Sequence, residues 1–568
     1  MLLRFFSLTI LTPLLLTNAI ARAQTQPGES DEIRALRAEM AARVSEMQSQ
    51  ISALQKRLDA LDAAGMADAY QPTRGSSTTT KEKLNNSATY QPQVVGAEPN
   101  TDVAPIIAEN AGLASISENQ TLERGSSTMR LGHLNITPGG FLALESVYRS
   151  KAVGADLSTP YALTPFAGAG LARQSEWTPS GRQSRASVLI QAKTGLGRIS
   201  GYYEADFLQA GSNTNSVQTS SYVLRQRQVF LSLGLRRGWT VSGGQMWTLA
   251  TENLRGVDPR TEAIPLIIDG AQSVGFTWGR WAGLRVSKTI NRVSSVALSF
   301  EQPQIVFSAT NAPKNFFIGT PGSAPGAFNP DVNYSIHSSP DFILKASFDP
   351  LRIGHYELGL IGRIFRDRYY PDAGAPRNDT NAAGGLFASA RFPIGSRLEI
   401  GAKIVGGRGL GRYGSSTLPE VTVKPDGTLS PLQNAQAFLR IEYRASGRLN
   451  VFAYQGTEYA GRASYRGVNG IEVGYGIRNG DNTGCLKETP PTTNSGYDPS
   501  TPINCVGANR SVSEWSGGFQ YRFYEGPAGR LQFSTVYGRV ERNAWSGVGG
   551  APDASNHLVY TGLRYILP

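Results

Sequence analysis

The twelve residues HLVYTGLRYILP (557–568) alternate in polarity, and this alternation decides the fold class. In an extended chain, successive side chains point to opposite faces. Val559, Leu563 and Tyr565 share one apolar face, whereas Tyr560 and Arg564 share the opposite face. Such a strand has an apolar medium on one side and water on the other. Two structures fit this description, namely a strand of a membrane barrel and an edge strand of a soluble sheet.

The composition favours the membrane barrel. The 568 residues include 63 Gly, 23 Tyr and 22 Phe, and charged residues make up only 17%, against a usual value of about 25%. Beyond position 25, no apolar run reaches the ~18 residues that a transmembrane helix needs. The predicted fold class is therefore an all-β, antiparallel transmembrane barrel, preceded by an N-terminal helical segment.

Residues 1–23 have the pattern of a secretory signal peptide. Arg4 supplies the positive start, an apolar stretch follows, and Ala21-Arg22-Ala23 forms a small-x-small cleavage site. Cleavage there removes two Arg and no acids, which lowers the net charge from +11 to +9. We therefore expect the chain to be exported.

Residues 24–63 are predicted to form a coiled coil. Apolar residues recur at spacings of three and four from Ile33 to Leu61, with one interruption between Met40 and Val44. These residues form an apolar stripe along one side of the helix, which predicts that the helix associates with other copies of itself. A lone helix packed on its own domain would show the same pattern. Residues 64–128 are rich in Ser, Thr, Pro and Asn and are predicted to be a flexible linker.

From residue 129 to 568, the sequence predicts strands joined alternately by short turns and long loops, as in outer-membrane barrels. The predicted strands lie near 139–150, 184–195, 198–209, 222–235, 238–248, 282–290, 293–302, 341–349, 354–366, 384–393, 396–407, 434–445, 448–459, 513–525, 529–542 and 556–567. Segments 272–279 and 467–478 also have strand-like patterns. Counting only one of them would place later long loops on the wrong rim, so the total is 16 or 18. We prefer 16, which is enough to enclose a water-filled channel.

Cys485 and Cys505 lie 20 residues apart in a stretch rich in Gly, Asn, Pro and Thr. In an oxidising compartment they are expected to form a disulfide, and two free thiols are the alternative. No set of side chains has metal-ligand spacing, and no cofactor is expected.

Together these segments resemble the DcaP-like trimeric porins of Gram-negative outer membranes. Three stretches carry the resemblance, namely Gly140–Glu145, Val241–Trp247 and Phe523–Phe533. The final strand is similar to the last strand of outer-membrane barrels, although it ends in Leu-Pro where an aromatic residue is usual. The resemblance implies a location in the outer membrane of a Gram-negative bacterium, with the N-terminal region in the periplasm. It also implies a homotrimer with a periplasmic coiled coil, and passive uptake of small, often anionic solutes.

Selectivity in a pore comes from its width and from the charges at its narrowest point, so no catalytic residue is expected. Strand alternation predicts that inward-facing bases modestly outnumber inward-facing acids, which favours anions. The alternative is that these charges pair with one another. The predicted inward acids are Glu145, Glu204, Asp206, Glu357, Glu399, Glu442 and Glu514, and the predicted inward bases are Arg185, Lys193, Arg285, Lys345, Arg363, Arg391, Lys403, Arg440, Arg522 and Arg564.

The loop at 249–281 is predicted to fold inward and narrow the lumen, with Arg255 and Arg260 facing anions. A solvated surface loop is the alternative. Arg225 and Arg227 share a face with Val229 in a regular strand. This pattern predicts that both arginine side chains lie at the outer rim or at a subunit contact, rather than in the lumen.

Two other classes of function are weighed against the porin. A hydrolase would need a Ser/His or Asp/His set, but none of the four histidines (His133, His337, His355 and His557) has supporting spacing. An adhesin or envelope-tethering protein would use the barrel only as an anchor. We therefore expect no enzyme and no nucleic-acid binding. The expected partners are outer-membrane lipid, small hydrophilic solutes and further copies of the chain, with peptidoglycan as an additional candidate.

Overall fold

The computed structural model describes residues 128–568 except 209–221, 270–272, 321–333, 351–352, 468–469 and 490–501, together with six residues between Ala42 and Lys56. Those six residues are helical and exposed. The predicted signal peptide, and most of the predicted coiled coil and linker, lie outside the described residues. The chain divides into two units, Met1–Thr101 and Asp102–Pro568, and the barrel belongs to the second.

Sixteen antiparallel strands form a closed barrel, which confirms the preferred strand number and the fold class of the barrel. Each strand pairs with the next, and the first strand also pairs with the last, which closes the ring. In chain order they are β1 Leu134–Arg149, β2 Arg185–Lys193, β3 Arg198–Asp206, β4 Arg225–Gly234, β5 Trp239–Trp247, β6 Arg280–Thr289, β7 Ser294–Glu301, β8 Asp341–Phe348, β9 His355–Tyr369, β10 Arg377–Ile394, β11 Leu398–Arg408, β12 Gln433–Arg444, β13 Leu449–Ala460, β14 Asn509–Gly526, β15 Gly529–Ala544 and β16 Asp553–Ile566.

Alternate residues of the wall face different environments. In β9, Leu358 and Leu360 are exposed on the outside, whereas Glu357 is buried on the inside. In β16, Leu563 is exposed on the outside and Arg564 is buried on the inside. An exposed apolar belt around a polar interior is the pattern of a membrane barrel, in which lipid covers the outer face.

The two ends of the barrel differ. One end, which we call the turn rim, carries short connections such as 395–397 and 527–528. The other end, the loop rim, carries the long connections 150–184, 248–279, 302–340, 409–432 and 461–508. Both doubtful segments lie within long loops, as predicted, and the second contributes only to a small hairpin of Ala463–Arg466 with Glu472–Tyr475.

Shorter elements complete the barrel. Strands Met129–Leu131, Glu176–Ser180 and Phe316–Phe317 extend the main sheet, and the loops contain the paired strands Gly319–Thr320 with Tyr334–Ser335 and Val421–Val423 with Leu429–Pro431. The 3-10 helices that lie wholly within the described residues are Tyr161–Leu163, Gly170–Arg173, Arg236–Gly238 and Gly411–Tyr413. Cys485 and Cys505 form the predicted disulfide. No helix among the described residues combines the length and apolar character needed to cross a membrane.

Candidate functional site

The connection from β5 to β6, residues 248–279, folds into the lumen, as the sequence predicted. Its two ends are joined where Thr248 N donates a hydrogen bond to Gly279 O, at 2.8 Å. Between these ends the chain reaches the turn rim, because Arg255 Nη2 donates to the carbonyl oxygen of Arg292 in the turn between β6 and β7, at 3.0 Å. We call residues 248–279 the inserted loop.

Basic side chains from six wall strands donate hydrogen bonds to backbone carbonyl oxygens of the inserted loop. Irregular backbone inside a barrel needs such partners, since its polar groups are removed from water. The distances include 2.6 Å for Arg391 and 2.7 Å for Arg440. The donor and acceptor residues are Arg285 and Val257, Lys345 and Thr251, Arg391 and Leu254, Lys403 and Ala250, Arg440 and Ala263, and Arg564 and Ile268.

Acidic side chains of the wall accept hydrogen bonds from backbone N–H groups of the same loop. The four bonds measure 2.8–2.9 Å and run from Leu249 to Glu301, Asn253 to Glu357, Val274 to Glu514 and Gly275 to Glu458. Glu357 and Glu514 belong to the predicted inward acids, whereas Glu301 and Glu458 were missed. The same alternation in β7 and β13 identifies both, because they lie in phase with buried inner-face neighbours.

Glycines allow the inserted loop to approach the wall closely. A Cβ atom at Gly456, on the inner face of β13, would lie 1.6 Å from the carbonyl oxygen of Val274. Gly275 has a φ of +79°, and a Cβ there would lie 2.1 Å from the carbonyl oxygen of Ala437. The first position therefore excludes a side chain because of space, and the second because of both space and backbone conformation.

Carboxyl groups buried with the loops have raised pKa values. Burial raises the pKa of Glu262 in the inserted loop, and Arg285 opposes this shift. Burial also raises the pKa of Glu420 in the loop 409–432, although Arg363 Nη1 donates to its Oε2 at 2.5 Å. Desolvation disfavours the charged form, so both groups hold a proton more readily than an exposed carboxyl.

The wall side chains that hydrogen-bond to the backbone of the inserted loop form one group, which we call the buttressed sector. Lys345 is an example of this group. This side chain is fully buried, and its Nζ donates to Thr251 O at 2.8 Å and to Glu357 Oε1 at 3.0 Å. The charged group of Lys345 is therefore fully engaged, by a carbonyl oxygen of the loop and by the carboxylate of Glu357.

A second group of charges lies on the inner face of β2–β4. Arg227 contacts Glu204 Oε1 at 2.7 Å and Asp206 Oδ2 at 2.6 Å. Arg225 contacts the same Asp206 oxygen at 2.9 Å, and Arg185 lies 3.7 Å from Glu204. Each of these two carboxylates is shared by two guanidinium groups.

Three residues from β6 and the inserted loop join this group. The Arg280 guanidinium stacks over the Trp247 and Trp278 rings at 4.8 and 5.1 Å, and its buried Nη1 lacks a hydrogen-bond partner within the described part of the chain. Arg260 lies over the Tyr202 ring at 4.6 Å, and Asp269 is within electrostatic range of Arg227 and Arg280. The arginine cluster comprises Arg185, Arg225, Arg227, Arg260 and Arg280 beside the acids Glu204, Asp206 and Asp269.

The prediction that Arg225 and Arg227 lie at the outer rim is wrong. A β-bulge shifts the register between β3 and β4, so that Glu204 pairs with Gln228 but Ala205 pairs with Gln226. Arg227 is the extra residue, and its side chain turns inward to Glu204. A bulge puts the residues on its two sides out of phase, so Arg225 faces inward although Val229 faces outward, which a regular strand pattern does not predict.

The other predicted pore-lining residues are spread along the barrel. Arg255 and Lys193 are exposed towards the turn rim, and Arg522 donates to Gly447 O at the same rim, at 3.0 Å. Arg363 is buried near the loop rim, between Asp341 and Glu420. Among the residues that the structure describes, no cluster of His, Cys, Asp or Glu could hold a metal ion.

A closed 16-stranded barrel with a loop folded into its lumen is the architecture of an outer-membrane porin. Among solved structures, the chain is similar to the outer membrane channel DcaP of Acinetobacter baumannii, with a TM-score of 0.51 and 13% identity over 77% of this chain and 99% of that chain. This similarity confirms the resemblance to the DcaP-like porins at the level of the fold.

More distant similarities include OmpT of Vibrio cholerae and an anion-selective porin from Comamonas acidovorans. Each has a TM-score of 0.40 and 10% identity, over 78% and 76% of this chain respectively and 100% of the other chain. No family model matches the chain, and no curated protein does.

Proposed function

We propose that the protein is an outer-membrane porin through which small hydrophilic solutes, preferentially anions, diffuse passively. The lipid-facing exterior, the polar interior and the inserted loop support this function. The inserted loop lies in the lumen, so the width of the channel depends on how firmly the loop is held. In this proposal Arg285, Arg391, Lys403, Arg440 and Arg564 set the width by holding the loop.

The arginine cluster is the observation that carries the proposed anion preference. Its five guanidinium groups outnumber its three carboxylates, and low-dielectric walls focus the field of such an excess. Arg280 adds a recognition element, because a planar guanidinium binds carboxylate or phosphate oxygens through paired N–H groups. Arg185 and Arg260, both predicted from the sequence, contribute to this field.

The proposal extends to assembly. Residues 1–23 are removed on export, 24–63 form a coiled coil that joins three copies in the periplasm, and 64–128 connect it to the barrel. The turn rim faces the periplasm, since outer-membrane barrels carry their short turns on that side. Peptidoglycan is a further candidate partner for the coiled coil.

Reversal potentials in planar bilayers under a salt gradient test this function. We expect the unmodified protein to prefer anions, and Arg225→Gln with Arg280→Gln to lose most of that preference. A matched control, Arg236→Gln with Arg448→Gln, removes the same charge at exposed positions of the turn rim and should leave the preference unchanged. Cation preference of the unmodified protein would refute the selectivity. Absence of any current would favour a barrel that serves only as an anchor.

A further inference from the structure

A basic groove lies on the outside of the barrel at the loop rim. It has a volume of 670 Å³ and is bordered by the outward-facing side chains of Arg408 and Tyr459 and by Arg462, Arg478 and Trp545 of the adjoining loops. These wall residues point outward because they alternate with buried inner-face residues of β11 and β13. The groove is therefore separate from the lumen and from the arginine cluster.

A second cavity of 500 Å³ continues the groove down the wall. Small residues create it, since a Cβ atom at Gly406 would meet no described atom within 4 Å, and Ala435 of β12 adds only a methyl group. Further along the same outer face, Ile404 and Leu439 are exposed apolar side chains. The feature thus has a basic end at the rim and an apolar end towards the lipid-facing belt.

The basic end concentrates positive charge. Arg408 and Arg478 are exposed, and the Arg462 guanidinium donates to the Ser546 carbonyl oxygen at 2.5 Å and stacks over Trp545 at 4.8 Å. Burial and the neighbouring Arg478 lower the pKa of Arg462. The adjacent carboxylate, Glu472, accepts a hydrogen bond from the backbone N–H of Arg478 at 2.6 Å. An anion placed in the groove would relieve the repulsion between Arg462 and Arg478.

We propose that this groove binds a phosphorylated lipid of the outer leaflet. The phosphate contacts Arg408, Arg462 and Arg478, and an acyl chain lies in the cavity beside Gly406. Lipid is favoured over a soluble anion because the groove continues along the lipid-facing surface towards the exposed apolar side chains of Ile404 and Leu439. It is favoured over a second copy of the chain because such a copy would have to neutralise three clustered cations on the same surface.

Native mass spectrometry of the delipidated full-length protein tests the proposal, with bisphosphorylated lipid A added in detergent. We expect the variant Arg408→Gln, Arg462→Gln, Arg478→Gln to bind lipid A about tenfold more weakly or worse, since a tenfold change needs only ~1.4 kcal/mol and charge-assisted contacts exceed this together. The control variant Arg236→Gln, Arg397→Gln, Arg448→Gln changes the charge equally at the turn rim and should bind like the unmodified protein.

Four outcomes would overturn the proposal. They are unchanged binding by the groove variant, an equal loss in the control, equal binding of a phosphate-free lipid, and full displacement of lipid A by millimolar inorganic phosphate, which would indicate a soluble anion. A fifth outcome, cross-linking between copies of the Gln433→Cys variant, would also overturn the proposal, because it would assign the groove to a subunit contact. If the triple variant does not insert, the exposed single change Arg408→Gln should still weaken binding of lipid A measurably.

Discussion

The buttressed sector and the arginine cluster use the same residue types for different purposes. In the buttressed sector, Lys403 and Arg440 are matched by carbonyl oxygens of the inserted loop and by carboxylates. In the arginine cluster, bases exceed acids, and Arg280 has stacking partners but a donor atom without an acceptor among the described residues. Under the proposed function, inward-facing charge therefore divides into charge that holds the inserted loop and charge that acts on solutes.

The difference has an energetic basis. A buried charge is costly unless it is paired and hydrogen-bonded, and removal of one partner from a buried pair typically costs about 3–5 kcal/mol. Each wall cation of the buttressed sector therefore depends on the loop, as the loop depends on the cation. In the arginine cluster, guanidinium groups outnumber carboxylates, and the proposed anion preference rests on this excess.

Removal of the inserted loop should have the largest effect. Thr248 N and Gly279 O are hydrogen-bonded to each other, so a short Gly-Asn linker can replace residues 249–278 without spreading β5 and β6. We expect a several-fold increase in single-channel conductance and a weaker anion preference, because the channel widens and the uncovered wall charges become hydrated. An unchanged conductance would show that the loop does not limit the channel.

A single methyl group should displace part of the loop. Gly456→Ala places a Cβ atom 1.6 Å from Val274 O, so the segment around Val274 must leave the wall. We expect a noisier open state and a smaller increase in conductance than deletion produces, measured by single-channel recording. Gly406→Ala is the matched control, because it also lies in a wall strand but its methyl group would point into open space. Similar traces from both variants would contradict close docking at Gly456.

The alternation of polar and apolar residues predicted the strands and the face on which most wall residues lie. It did so because lipid on one side and water on the other require every second residue to be apolar. It failed at Arg227, where the bulge in β3–β4 adds one residue and inverts the pattern. It also did not distinguish Arg391, which holds the loop, from Arg185, which belongs to the arginine cluster. That distinction depends on where an irregular loop of 32 residues lies, since its contacts are set by tertiary packing rather than by periodicity.

The polarity pattern of the sequence likewise could not predict the surroundings of Arg280 or of Glu262. Arg280 opens β6 directly after the inserted loop, and its site is defined by two tryptophans that come from β5 and from that loop. In the sequence, Glu262 is simply one of the acidic residues in a loop of mixed charge. Only its burial in the lumen separates it from a solvated carboxylate.

A change in pH is expected to have a smaller effect on the channel, through protonation of Glu262. Burial raises the pKa of this carboxyl when the loop is docked. The protonated form therefore favours docking, and this contribution is complete below the ordinary pKa of Glu, about 4.3, and is lost as the pH rises through the raised value. We expect the unmodified channel to become noisier between acidic and neutral pH, and Glu262→Gln to remain quiet over that range. Equal pH dependence in both proteins would exclude Glu262 as its origin.

The smallest effect on the channel is expected from Cys485→Ser with Cys505→Ser. The disulfide lies at the loop rim, outside both charge groups, where Cys485 O accepts a hydrogen bond from Gly168 N at 2.7 Å and joins the loop 461–508 to the loop 150–184. Closing a loop of about 20 residues contributes roughly 3 kcal/mol by the chain-entropy estimate. We therefore expect faster proteolysis within 461–508 but an unchanged reversal potential. A shift in the reversal potential would mean that the loop rim, and not the arginine cluster alone, controls which ions pass.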